Sequence, residues 1–163
     1  MNVRLAKKED AAIIHKIMIE AFSEYNETIP SSALNETVYS IASSIDDKEE
    51  QAAICFENDH PIAMVRFQIV NESLYFYRLS VLPIHQGKGV AKTLLRWLEV
   101  FARDHSCNRI WCKVRKSVSK NRKMYCSLGY KTIDEFNITV KDGFTLQVIS
   151  MEKIVNKVKE ERF

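Results

Sequence analysis

Hydrophobic residues recur along this chain with two periods, and the order in which those periods appear predicts its elements. Val3 to Ala6 reads as a short strand, and Ile13, Ile14, Ile17, Met18, Ala21 and Phe22 then recur at helical spacing as a first amphipathic helix. Ser31 to Ile45 has a weaker helical period through Leu34, Val38, Ile41 and Ala42, which the acidic stretch Asp46 to Glu50 breaks as a solvated loop. Ala52 to Phe56, Ile62 to Val70 and Leu74 to Leu82, separated by Asn58-Asp59-His60 and Asn71-Glu72-Ser73, predict an antiparallel meander. The clearest helix follows, with Val90, Ala91, Leu94, Leu95, Leu98, Phe101 and Ala102 on one face and Lys92, Arg96, Glu99 and Arg103 on the other. Ile110, Cys112 and Val114 alternate with Arg109, Trp111 and Lys113 as a strand, and Ser119 to Leu128 is a short helix closed by Gly129. Thr132 to Val140 and Phe144 to Met151 alternate around Lys141-Asp142-Gly143 as a hairpin. Strand, helix and strand in succession imply a right-handed crossover between parallel neighbours, so the architecture is mixed α+β.

Composition narrows the picture further. A chain of 163 residues, 46% hydrophobic and 28% charged, matches one ordinary globular domain, read as residues 1–163, and excludes disorder, collagen and coiled coil. The 24 basic and 21 acidic side chains leave +3, too small a bias to predict a nucleic-acid coat. Charged residues interrupt every long apolar run, which predicts no membrane span, and the start of the chain lacks the pattern of a signal peptide. Cys55, Cys107, Cys112 and Cys126 form no C-x-x-C pair and have no histidine at zinc-like spacing, so they read as reduced thiols of a cytoplasmic protein. His15, His60, His85 and His105 share no metal-ligand spacing either, and no metal is expected.

Candidate chemistry concentrates at two of the four glycines. Gly129 and Gly143 suit a helix end and a hairpin turn, whereas Gly87 and Gly89 lie between the strand ending at Leu82 and the strongest helix. A glycine-bearing loop that opens a helix directs unpaired N–H groups and the positive end of the helix dipole at one place, which suits a phosphate. The spacing fits neither a P-loop nor a dinucleotide fingerprint, since Lys92 stands where a third glycine belongs. From the glycines alone, a phosphate site and a merely tight turn both remain open.

Neighbouring residues add to this. Gln86-Gly87-Lys88-Gly89-Val90-Ala91 resembles the Q/R-x-x-G-x-G/A loop of the GNAT superfamily of N-acetyltransferases. Arg78-Leu79-Ser80-Val81-Leu82-Pro83 resembles that family's central strand, and Tyr125-Cys126-Ser127-Leu128-Gly129-Tyr130 resembles its Y-x-x-L-G-F/Y helix end. The resemblance covers nearly the whole chain. It implies a mixed, mostly antiparallel sheet with splayed parallel central strands flanked by helices, and transfer of an acetyl group from acetyl-CoA to a primary amine by direct attack in a ternary complex.

Roles follow from the resemblance residue by residue. Backbone N–H groups of Gln86, Gly87, Lys88, Gly89, Val90 and Ala91 would hold the pyrophosphate, and the backbone at Leu79, Ser80 and Val81 would meet the pantetheine amides. The Val81 N–H would face the thioester oxygen, where a fixed donor stabilises the developing oxyanion. Tyr125 would protonate the departing thiolate; a core aromatic is its other reading. Asn121 stands about one helical turn from Val118, the position the resemblance would give to an asparagine on pantetheine. Lys88, Arg115, Lys116, Lys120, Arg122 and Lys123 suit either a CoA phosphate or solvated surface charge. Tyr75 replaces the glutamate that some members use as a base, which leaves Glu72 or a water chain to accept the amine proton. Glu20, Glu24, Tyr25 and Glu27 fall where the family forms its acceptor wall, and exposed polar residues at a helix end are their other reading. Two rivals stand beside this expectation: a module that binds acyl-CoA without turnover, and a nucleic-acid-associated protein using the basic stretch Lys113 to Lys123. The acceptor is open between small-molecule and protein amines, and the oligomeric state between monomer and homodimer.

Overall fold

A two-residue turn sets the first hairpin. Asn58 and Asp59 both adopt left-handed backbone, with φ of 50° and 66°, and join β2 (Gln51–Glu57) to β3 (His60–Val70) by a two-residue turn whose twist matches that of the strands. β1 (Asn2–Leu5) pairs antiparallel with β2 on its other side. The computed structural model describes residues 1–23, 32–140 and 143–155. The chain separates into two compact units, Met1–Gln68 with Phe76–Leu98, and Ile69–Tyr75 with Glu99–Phe163.

In the first unit, α1 (Ala11–Ser23) buries Ala11, Ile14, Ile17, Met18 and Ala21. Four of these, Ala11, Ile14, Ile17 and Met18, join Ala33, Ile41, Ala52, Ile54 and Met64 in one core cluster. Ile41 comes from α2 (Val38–Asp46), which starts later than the apolar period suggests. Thr37 accepts a hydrogen bond from the Ser40 N–H at 3.1 Å and caps the helix there, while Ser32–Asn35 forms a separate 3-10 turn. Ser31 lies outside the described residues.

β4 (Ser73–Val81) leads through a 3-10 turn to α3 (Val90–Asp104), in which Val90, Leu94, Leu95, Leu98 and Ala102 are buried. Truncating a fully buried leucine such as Leu94 to alanine costs about 2–5 kcal/mol, so this stripe anchors whatever the helix start presents. β5 (Arg109–Arg115) runs parallel to β4, as the crossover rule predicts. That parallel ladder spans only Ser73–Arg109, Leu74–Ile110 and Tyr75–Trp111, the short pairing expected of central strands that splay.

In the second unit, α4 (Ser119–Ser127) follows β5, and the hairpin of β6 (Lys131–Thr139) and β7 (Thr145–Ile154) completes the chain's strands. β6 does not lie beside β5: β7 pairs antiparallel with both, so the returning arm of the hairpin takes the place next to β5. Gly143, at φ 79°, closes the hairpin with its N–H on the Val140 carbonyl at 3.1 Å, and Lys141 and Asp142 lie outside the described residues. Among the described residues the strand order is β1-β2-β3-β4-β5-β7-β6, one parallel pair in an otherwise antiparallel sheet. No helix among them is long and apolar enough to cross a membrane.

Candidate active site

The glycine loop is held at both ends. At its start, the Leu82 N–H donates to the Ile62 carbonyl at 2.9 Å, and Gln86 Nε2 donates to the Val81 carbonyl at 3.2 Å, tying the loop to the end of β4. At its end, Thr93 donates from both N–H and Oγ1 to the Gly89 carbonyl, at 3.1 and 3.0 Å, and Val90 is buried. The N–H groups of Val90, Ala91 and Lys92 therefore begin α3 with no acceptor in the helix. Gly87 and Gly89 take φ of 77° and 80°, and a Cβ on either would meet nothing within 4 Å. Backbone conformation, not crowding, demands glycine at both positions, and the missing side chains leave a row of N–H groups approachable by an anion. Lys88, between them, is exposed.

The strand before the loop departs from the expected alternation. Plain pleating would put Arg78 on the same face as Ser80, but Arg78 reaches Glu36 at 2.9 Å, in the cluster that its neighbour Tyr77 also joins. The departure coincides with a backbone φ of 56°, a left-handed conformation that costs a non-glycine residue about 1–2 kcal/mol. Ser80 is buried and donates from Oγ to the Arg78 carbonyl at 2.9 Å, while Leu79 and Val81 are half-buried.

Around Arg78 lies an ionic cluster that periodicity did not reveal. Arg66, 4% exposed, binds both oxygens of Glu50, at 2.5 and 2.8 Å, and one oxygen of Glu36 at 2.7 Å. The Tyr77 hydroxyl donates to Glu50 at 3.0 Å. Burial alone would lower the Arg66 pKa, but the two carboxylates outweigh it and raise it, while burial and Glu50 push the Tyr77 phenol up. Both groups keep their protons as donors. Breaking such a buried pair typically costs about 3–5 kcal/mol, because the remaining charge loses its partner. The signal in the sequence was Arg66 inside the apolar run Ile62–Val70, since an arginine in a buried strand requires a carboxylate.

Tyr125 is placed by the way α4 ends. Gly129, at φ 98°, donates its N–H to the Cys126 carbonyl, and Tyr130 donates to the Tyr125 carbonyl, both at 3.0 Å. These two bonds form a Schellman motif, and the Tyr125 and Tyr130 rings supply its customary apolar contact at 5.7 Å between centroids. The Tyr-x-x-Leu-Gly-Tyr sequence is thus a helix stop that buries the Tyr125 ring. Asn121 lies in the same helix, two residues after its start, and is half-buried.

Other candidates separate clearly. Lys116 pairs with Glu135 at 2.5 Å, and Lys113 Nζ stands 5.7, 5.8 and 5.9 Å from the ring centroids of Tyr75, Trp111 and Phe136. These two cations of the basic stretch are engaged within the protein, while Lys120 and Lys123 are exposed. Glu72 accepts from Asn108 Nδ2 at 3.2 Å in the turn before β4, at the opposite end of that strand from Leu79–Val81. Glu20 is exposed on α1, and Glu24, Tyr25 and Glu27 lie outside the described residues. All four thiols are free, and burial pushes those of Cys55, Cys107 and Cys112 up, which makes them poor nucleophiles. Among the described residues no group of three histidine, cysteine or acidic side chains is placed to hold a metal ion.

Known proteins share this fold. The [Ribosomal protein bS18]-alanine N-acetyltransferase of Haemophilus influenzae is 30% identical over 78 residues, 48% of this chain and 53% of that protein, so the match spans about half the length of this curated relative. The ribosomal-protein-S18-alanine N-acetyltransferase of Escherichia coli superposes with a TM-score of 0.78 at 18% identity, over 99% of this chain and 98% of that one. A spermidine N-acetyltransferase chimera from Vibrio cholerae and hSSAT gives 0.77 at 18% identity, over 94% and 95%. The yncA structure from Salmonella typhimurium, solved with its cofactor acetyl-CoA, gives 0.74 at 19% identity, over 99% and 98%. Residues 13–130 match the family model described as the acetyltransferase (GNAT) family, and the chain belongs to that family.

Proposed function

We propose that the protein transfers the acetyl group of acetyl-CoA to a primary amine, with residues 1–163 serving as one GNAT-like domain in the cytoplasm. The observation that carries this reading is the loop from Gln86 to Ala91, where left-handed Gly87 and Gly89 open α3 and leave its first N–H groups approachable. Those groups hold the pyrophosphate, and the backbone of Leu79, Ser80 and Val81 binds pantetheine. In the reaction the amine nitrogen attacks the thioester carbon, forming C–N and moving the carbonyl electron pair onto oxygen; the pair then returns as C–S breaks. The Val81 N–H stabilises the oxyanion between these events, because it is fixed in place before charge develops. Tyr125 gives its phenolic proton to the departing CoA sulfur and regains one from solvent, while the amine loses its proton to water or a nearby base.

The acceptor is an exposed primary amine, either a protein N-terminus or a polyamine, a reading supported by relatives named for alanine of a ribosomal protein and for spermidine. Release of free CoA thiol, followed with spermidine and with a peptide beginning in alanine, tests the reading. One of the two amines is expected to raise thiol release above the rate without amine and to gain an acetyl group by mass. Acetyl-CoA binding without release on either would favour the non-catalytic acyl-CoA-binding reading.

A further inference from the structure

Among the described residues with a side chain, Arg78 alone combines a left-handed φ with a place inside a strand. Lys48, Asn58, Asp59, Asn71 and Ser106 share the sign of φ, but all stand in turns. Such a conformation persists only where its surroundings over-determine it, and here the restraint comes from side chains. Arg78 Nε donates to Glu36 Oε2 at 2.9 Å and Nη2 to Ser32 Oγ at 3.0 Å, while Ser80 Oγ holds the Arg78 carbonyl at 2.9 Å. Glu36 is itself fixed: its other oxygen takes Arg66 Nη1 at 2.7 Å, and Arg66 is locked by both oxygens of Glu50. Two carboxylates therefore balance two guanidiniums, and Glu36 is the link between the buried pair and the strained strand.

We propose that Glu36 is a positioning residue. Acting through Arg78, it fixes the direction in which the backbone of Leu79–Val81 leaves the strained position, and so aims the Val81 N–H at the thioester oxygen. This inference rests on the reading that Leu79–Val81 binds acetyl-CoA. The phosphate loop begins five residues beyond the end of that stretch; Gln86 Nε2 ties its start to the Val81 carbonyl, but the helix start that carries its N–H groups is fixed independently, by Thr93 on the Gly89 carbonyl and by buried Val90. Loosening Arg78 should therefore disturb the thioester contact more than cofactor affinity.

Infrared difference spectra of acetyl-CoA carrying carbon-13 at the thioester carbonyl read that contact without any acceptor amine, since a hydrogen bond lowers the carbonyl frequency. The variants are Glu36→Gln, which removes the link's charge, and Arg78→Gly, which tolerates the positive φ but removes the tether and leaves Arg66, Glu36 and Glu50 paired. Bound to the wild-type protein, the label should absorb below its frequency in solution. In each folded variant that displacement should fall by half or more, while the calorimetric Kd for acetyl-CoA changes by less than about tenfold. Should Glu36→Gln fail to fold, Arg78→Gly decides alone. An undiminished displacement overturns the positioning role and leaves the binding reading intact, as does a folded variant that loses acetyl-CoA altogether, which would make the cluster a general support. A wild-type protein that binds no acetyl-CoA, or binds it without displacement, overturns the underlying reading itself.

Discussion

Tyr125 and Arg78 illustrate two ways in which a single residue acquires its setting. The Tyr125 ring is buried because the chain stops its helix three residues later with leucine and then glycine, so the motif that suggested chemistry is first of all a C-cap. If its hydroxyl is the proton donor to the thiolate, Tyr125→Phe removes one oxygen and leaves the cap and the ring packing in place. Turnover should fall by about 10²-fold or more, the low end of what a positioned acid contributes, with acetyl-CoA affinity nearly unchanged. Equal turnover in the variant would remove Tyr125 from the mechanism. Arg78 could not be read in this way from sequence, because its left-handed backbone depends on Glu36 and Ser32, which lie more than forty residues earlier. Alternation is a local rule, and it failed where a distant ionic contact outweighed local preference.

At the scale of elements, the strongly periodic segments were legible and their ends were not. α3 carries so regular an apolar stripe that its core residues could be named from the sequence, whereas α2 starts at Val38 because Thr37 caps it, a cap that the weak period around Leu34 obscures. The start of α1 offers a test of such end effects. Asp10 accepts the Lys7 N–H at 2.8 Å and both terminal nitrogens of Arg4, at 2.9 and 3.1 Å, immediately before the helix. The hydrogen bonds from Arg4 chiefly hold the Asp10 carboxyl below its ordinary pKa, against the opposing effect of burial. A depressed carboxyl stabilises the fold fully above the unfolded pKa and loses that contribution as pH falls through the folded one. Asp10→Asn should therefore cost about 1 kcal/mol at pH 7 in urea unfolding, modest because Arg4 is well exposed, and the difference from wild type should narrow below about pH 4. A difference that stays constant with pH would place the stabilisation outside the carboxylate charge.

For the molecule as a whole, the order of elements and the two motifs sufficed to indicate the family, which the match over residues 13–130 establishes. The sheet order was less accessible. β7 lies between β5 and β6, and no local pattern states which arm of a hairpin will pair with an earlier strand. Acceptor specificity stayed illegible for a further reason, since loops recognise substrates through shape and charge that follow no positional code. The proposed donor site is different, because backbone N–H groups at a helix start bind phosphate whatever the neighbouring side chains, and glycine is what leaves them open. Calorimetric titration with acetyl-CoA, NAD and ATP, without added metal, on the wild-type protein and on Gly89→Val, puts that donor site to the test. Valine at φ 80° strains the loop and covers the N–H groups in a region where no core packing is disturbed. The loop assignment predicts saturable binding of acetyl-CoA alone by the wild-type protein, and at least about a tenfold weaker Kd in a folded Gly89→Val protein. Absence of acetyl-CoA binding by folded wild type, or equal affinity in the variant, would contradict it.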